Sequence, residues 1–95
     1  ARNQLGIALR ETGDAAGSIA CYRMLLRMDP GNAGFRHNLG VALRDAGDLA
    51  SAEAEHREAV RLDPGEAMFH FGLGDVLKAR GDARGAEAAY REAVR

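Results

Sequence analysis

One spacing constrains this chain more than any other feature: its residues recur at a period of 34. Gly40, Gly47, Asp48, Ala52 and Pro64 stand 34 residues after Gly6, Gly13, Asp14, Ser18 and Pro30. The first four of these return again as Gly74, Gly81, Asp82 and Ala86, and Leu39 and Leu43 recur as Leu5/Leu9 and Leu73/Leu77. A fixed period of this length marks stacked repeats, each burying its apolar face against its neighbours. Ninety-five residues are few for one large core, but stacking buries apolar area unit by unit.

Within each unit the pattern is that of two helices. In the first copy, Leu5, Ala8, Leu9 and Thr12 keep the three-and-four spacing of one helical face, in a helix already running at Ala1. Gly13 offers a left-handed stop, and Asp14 an acceptor for the free N–H groups of a second helix. That helix is expected over Ala15 to Met28, with Ser18, Tyr22, Leu25 and Leu26 inward, and Asp29-Pro30-Gly31-Asn32 closes the unit.

The second copy gives Phe35, Leu39, Ala42, Leu43 and Ala46, then Leu49, Ala52, His56, Ala59 and Val60. The third gives Phe69, Leu73, Val76 and Leu77, then Ala83, Ala86, Tyr90, Ala93 and Val94. No stretch alternates with period two, so the expected fold class is all-α: six helices in three antiparallel hairpins. The repeats run over about 1–32, 33–66 and 67–95 of one domain. The first and last copies are incomplete, which is the expectation for a piece of a longer protein.

A mid-helix glycine costs about 1 kcal/mol relative to alanine, yet Gly6, Gly40 and Gly74 each follow a buried-face leucine. The recurrent cost implies close approach of the paired helices, with the small Ser18, Ala52 and Ala86 as the expected opposing contacts.

These residues resemble the tetratricopeptide repeat, a 34-residue helical hairpin with the pattern Trp-x2-Leu-Gly-x2-Tyr, then Ala-x3-Phe, a small residue and Pro. The middle copy offers Arg36, Leu39, Gly40, Leu43, Ala52, His56, Ala59 and Pro64. Arg2, Arg36 and His70 stand where the family has its large aromatic, and Phe35 and Phe69, one position earlier, are expected to take over its packing.

The resemblance implies an alpha-alpha superhelix, a right-handed solenoid whose first helices line a concave groove for a segment of another protein. Carried onto this sequence, the groove positions are Asn3, Ile7, Arg10 and Glu11; Gly34, His37, Asn38, Val41, Arg44 and Asp45; and Met68, Phe71, Asp75 and Lys78. The row Arg10, Arg44, Lys78 either pairs with carboxylates of an acidic ligand or is neutralised by Glu11, Asp45 and Asp75 as a solvated surface.

Of the carboxylate clamp found in co-chaperone repeats only Asn38 is matched, with Asn3, Ile7, Met68 and Gly72 in the other places. The asparagine ladder of O-linked N-acetylglucosamine transferases is interrupted by Gln4 and Gly72. The implied function is a non-catalytic protein-interaction module or scaffold. The alternatives are the recruiting arm of a larger enzyme such as a glycosyltransferase, and a scaffold that self-associates through uncapped terminal helices.

Other chemistry finds no pattern. Thirteen basic and fourteen acidic residues, net charge -1, do not make the basic patch that nucleic acid or an anionic membrane requires. No apolar run is long enough to span a bilayer. His37, His56 and His70 lack metal-ligand spacing, and His56 is expected to pack in the core with its polar tip at the edge. Thr12, Ser18 and Ser51 lack a patterned histidine or acid for nucleophilic catalysis.

Gly72-x-Gly74 begins a phosphate-binding fingerprint but has Leu77 in place of the third glycine. No catalytic residue, cofactor or metal is expected. The single Cys21 rules out an internal disulfide and is expected to be partly exposed and unreactive. Ile19 and Met24 stand where later copies carry glutamate, so the outer face at that end is more apolar. Twelve of the thirteen basic residues are arginine, a bias that fits a bacterial source; a cytoplasmic setting is expected, with a cysteine-poor periplasmic one equally compatible.

Overall fold

Three glycines and three aspartates set the hairpins. In the computed structural model the backbone is described for residues 2–95 and side chains from Asn3 onward. The expectation for Ala1 and the side chain of Arg2 therefore lie outside the described residues. The six helices are α1 (Arg2–Glu11), α2 (Ala15–Met28), α3 (Ala33–Asp45), α4 (Leu49–Leu62), α5 (Ala67–Ala79) and α6 (Ala83–Ala93).

Gly13, Gly47 and Gly81 each adopt φ +87° just past the first helix of a hairpin. This left-handed geometry lets the next N–H reach back into the last turn: Asp14 N–H to the Leu9 carbonyl (2.7 Å), Asp48 to Leu43 (2.9 Å) and Asp82 to Leu77 (2.9 Å). The same aspartates then cap the second helix, accepting from Gly17, Ser51 and Gly85 backbone N–H groups at 2.8, 3.2 and 2.9 Å. Between hairpins, Asn32 caps α3 and Glu66 caps α5.

Consecutive helices pack antiparallel as three hairpins, and α1, α3 and α5 lie side by side. The α2 expectation holds in full: Ser18, Tyr22, Leu25 and Leu26 are buried. So are Leu39, Ala42 and Leu43 on α3, Ala52, His56 and Ala59 on α4, and Phe69, Leu73, Val76 and Leu77 on α5. Phe35, Leu49, Val60, Tyr90 and Ala93 are half-buried, while Ala46, Ala83 and Val94 are exposed.

The α1 face departs from its expected burial. Leu5, Ala8 and Thr12 are exposed and Leu9 is half-buried. The equivalents of Leu5 are covered by the second helix of the preceding hairpin, and no described element lies on that side of α1.

The helical glycines face larger partners than expected. A Cβ on Gly6 would meet the Tyr22 ring at 2.7 Å, one on Gly40 the His56 ring at 2.7 Å, and one on Gly74 the Tyr90 ring at 2.5 Å. Ser18 touches Gly6 by donating its hydroxyl to the Gly6 carbonyl (2.9 Å). The close approach thus seats a ring, four residues beyond the small position, against bare backbone. Overpacking at such a contact costs about 1–3 kcal/mol, more than alanine returns as a helix former. Gly40→Ala should therefore lower stability by about 2 kcal/mol in urea denaturation; a raised midpoint would refute the contact.

Candidate functional site

The exposed faces of α1, α3 and α5 form one wall, and it is crossed by ion pairs between successive repeats. Arg10 Nε lies 2.9 Å from Asp45 Oδ2, and Arg44 Nη1 lies 3.6 Å from Asp75 Oδ2. Asp75 also accepts the Tyr90 hydroxyl at 2.6 Å, a bond that pushes the Tyr90 phenol pKa up. Two of the three expected acids thus neutralise the cation row. Each pair is partly solvated, worth about 0.2–1 kcal/mol, so its main effect is to occupy the charges. Lys78 has no ion-pair partner among the described residues.

Between the rungs lies a cleft of about 260 Å³. Nine of the expected groove residues line it: Ile7, Arg10, His37, Asn38, Val41, Arg44, Met68, Phe71 and Asp75. Asn3 is instead tied to its neighbours, its side-chain oxygen accepting from the Tyr22 hydroxyl (3.0 Å) and from Asn38 Nδ2 (3.3 Å). Asp45 forms the first rung, and Lys78 lines a different cleft at the far end. Gly34 and Glu11 are not among the lining residues.

Sequence reasoning missed Tyr22 and Gly72 as part of this wall. The periodicity places Tyr22 in the core, where it is buried, and its hydroxyl extends from there to Asn3. Gly72 interrupts the asparagine ladder, and that break is the signal, because a side chain there would collide with the rings beneath.

Those rings are His37 and His56, in edge-to-face contact with centroids 5.1 Å apart, with Phe69 5.4 Å from His37. His37 is not the exposed groove residue expected: it is buried, its Nδ1 is unpartnered, and only its edge reaches the cleft. The reason is Gly72, which brings the α5 backbone down over it. A Cβ on Gly72 would lie 2.7 Å from both imidazoles. The polar tip of His56 is likewise not at an edge; the residue is 1% exposed and neither ring nitrogen has a partner.

Burial, with smaller contributions from His37 and Arg44, pushes the His56 pKa down to about 4. Burial also lowers that of His37, with Arg10 and Arg44 adding to it. His70 is elsewhere, its Nε2 2.7 Å from the Pro64 carbonyl, as Arg36 donates to the Pro30 carbonyl at 3.2 Å. The two described side chains at the family-aromatic position, Arg36 and His70, thus clasp the preceding turn. Among the described residues no three His, Cys, Asp or Glu gather as a metal site. Gly72 and Gly74 are used for packing against His56 and Tyr90. No described helix is long and apolar enough to cross a membrane.

A family model described as the tetratricopeptide repeat matches residues 3–67 and again 38–95. The chain belongs to the tetratricopeptide repeat family. No curated protein matches it. Among solved structures, it is similar to the Sgt2 tetratricopeptide domain of Aspergillus fumigatus (22% identity, 98% of this chain, TM-score 0.95), spanning 62% of that chain. A point mutant of the Thermobaculum terrenum O-GlcNAc transferase is 30% identical over 98% of this chain, at TM-score 0.91, and the match spans 18% of the transferase. The second such domain of Spaghetti (RPAP3), bound to the HSP90 peptide SRMEEVD, shares 19% identity over 98% of this chain and 86% of its own, at TM-score 0.91. Tetratricopeptide chains of this kind share the hairpin stack seen here.

The unpartnered His56 sets a pH dependence. Its ordinary pKa of 6.5 applies to the unfolded chain and about 4 to the folded one, so the unfolded state binds the proton more readily. The stabilisation is complete above about pH 6.5, declines as pH falls, and is lost by about pH 4, amounting to on the order of 3 kcal/mol. Replacing His56→Tyr, the residue of the other two copies, should remove most of this acid limb in denaturation measured from neutral pH downward. Identical acid dependence in both proteins would show that the loss arises elsewhere.

Proposed function

We propose that the chain is a non-catalytic protein-interaction module, one repeat domain over residues 1–95, that holds a segment of another protein along α1, α3 and α5. The observation that carries this reading is the cleft of about 260 Å³ contributed to by all three hairpins. Ile7, Val41, Met68 and Phe71 bring apolar surface to it while Arg10 and Arg44 are already paired with Asp45 and Asp75. An acidic tail gains little from cations that must first give up their partners. A large apolar side chain between the rungs buries area at about 25 cal/mol per Å² without breaking them. The segment recognised therefore carries an apolar anchor flanked by polar residues of both signs.

The Spaghetti domain, which has the same hairpin stack, is bound to a peptide, and this supports a segment-holding role for the present chain. The clamp residues for a carboxylate are not carried over, since Asn3, Ile7, Met68 and Gly72 occupy their places. The 30% identity with the O-GlcNAc transferase favours a second reading, in which the same groove recruits substrates for a larger enzyme. A bacterial, cytoplasmic setting remains the reading of the arginine-rich, single-cysteine composition.

Peptides selected on the chain from a random display library should share one large apolar residue. Their affinity should drop about tenfold or more in Met68→Asp and in Phe71→Ser, with helical content unchanged, the loss expected for an apolar anchor worth at least 1.4 kcal/mol. A consensus made only of acidic residues, lost in Arg44→Glu, would replace this reading with the cation-row alternative.

A further inference from the structure

The two junctions between hairpins can be compared position by position, because the period of 34 places equivalent residues at each. At the second junction a cleft between α4, α5 and α6 is lined by Arg57, Val60, His70, Leu73 and Ala89 among others. At the first, a cleft of about 310 Å³ between α2, α3 and α4 is lined by their equivalents Arg23, Leu26, Arg36, Leu39 and Glu55, together with Arg27. All three helices of this cleft lie inside the stack, with α1 and α5 beyond them. It shares no lining residue with the groove of α1, α3 and α5.

The two clefts differ in how their arginines are held. On α4, Arg57 Nε lies 2.8 Å from a Glu53 oxygen, and Arg61 pairs with Glu58. Arg91 and Arg95 repeat the pattern with Glu87 and Glu92. These guanidiniums take their carboxylates from their own segment and not from a neighbouring hairpin. On α2 the acids are missing: Ile19 stands at the position of Glu53 and Glu87, and Met24 at that of Glu58 and Glu92. Arg23 and Arg27 are exposed and have no ion-pair partner among the described residues. The neighbouring acids are already committed. Glu55 pairs with Arg36 at 3.1 Å, and Asp48, which feels the charge of Arg23, caps the Ser51 N–H at 3.2 Å.

Charge and spacing define what the cleft accepts. α2 carries two arginines and no acid, whereas α4 beside it carries Glu53, Glu55 and Glu58 with Arg57 and Arg61. A long polyanion laid across the cleft runs onto those glutamates, which disfavours nucleic acid and an anionic bilayer. Arg23 and Arg27 stand four residues apart, about 6 Å along the helix axis, which matches carboxylates at i and i+4 of a partner helix. Unlike Arg10 and Arg44 in the groove, they exchange only water for an incoming carboxylate.

We propose that the cleft of α2, α3 and α4 is a second docking surface, which receives an acidic segment of a partner protein through two carboxylates one helical turn apart, on Arg23 and Arg27. The partner supplies the acids that the other two hairpins carry themselves.

An alanine-rich helical peptide with glutamates at i and i+4 is the probe, titrated at about 50 mM salt to limit screening. It should shift the side-chain Nε resonances of Arg23 and Arg27 in nuclear magnetic resonance spectra and leave those of Arg57 and Arg61 in place. Arg23→Gln combined with Arg27→Gln should weaken binding about fivefold. Met24→Glu, which gives Arg27 the partner that Arg61 has, should weaken it roughly threefold although both arginines remain. All three positions are exposed, so the variants should keep the parent circular dichroism. Three results would overturn the proposal. They are shifts no larger at Arg23 and Arg27 than at Arg57 and Arg61, binding that maps to the groove and survives Met24→Glu, and tighter binding to anionic phospholipid vesicles or a single-stranded oligonucleotide than to the peptide.

Discussion

The structure depends on a ring laid against bare backbone. In each hairpin a glycine of the first helix removes the side chain that would otherwise hold the helices apart, and Tyr22, His56 or Tyr90 fills the space. Dense packing at this point fixes the distance between paired helices, because interiors yield little to an added methyl group. The left-handed glycines and capping aspartates at the turns then fix the angle at which the second helix returns. With that distance and that angle repeated three times, the stacking of hairpins and the shared wall of α1, α3 and α5 follow.

The middle hairpin carries the contact with a different residue, and the difference has consequences. The tyrosines of the outer copies send their hydroxyls to Asn3 and Asp75 on the groove wall. His56 finds no such partner and is sealed between Gly40 and Gly72. An unpartnered buried polar atom costs about 1–3 kcal/mol, so the same packing that closes the middle of the stack leaves it sensitive to acid. His37, pressed between His56 and Phe69, is drawn out of the groove by the same glycine that admits α5.

The groove is correspondingly less cationic than its sequence row implies. Arg10 and Arg44 lean toward the next repeat and meet aspartates there. The second rung does not copy the first: Ala79 stands at the repeat equivalent of Asp45, so Arg44 turns instead to Asp75, one helical turn earlier. The wall that results is closer to electrically paired than to basic, with Ile7, Val41, Met68 and Phe71 as its apolar content.

The spacing of Leu, Gly, Asp and Pro determined on its own that this chain makes six helices in three hairpins, where each helix ends, and which faces of α2 to α5 turn inward. These are local or periodic properties, set by capping, left-handed glycine and helical repeat. Most of the groove wall was legible for the same reason, since a 34-residue period places equivalent residues on equivalent faces. Tertiary structure alone decided what period cannot encode. It exposed Leu5 while burying Leu39 and Leu73, because burial depends on which neighbour is present and not on the residue. It buried His37 and left His56 without partners, because the cause is the missing side chain of Gly72 on another helix. It also chose which acid each arginine meets, because that choice rests on distances across the stack that no single repeat contains.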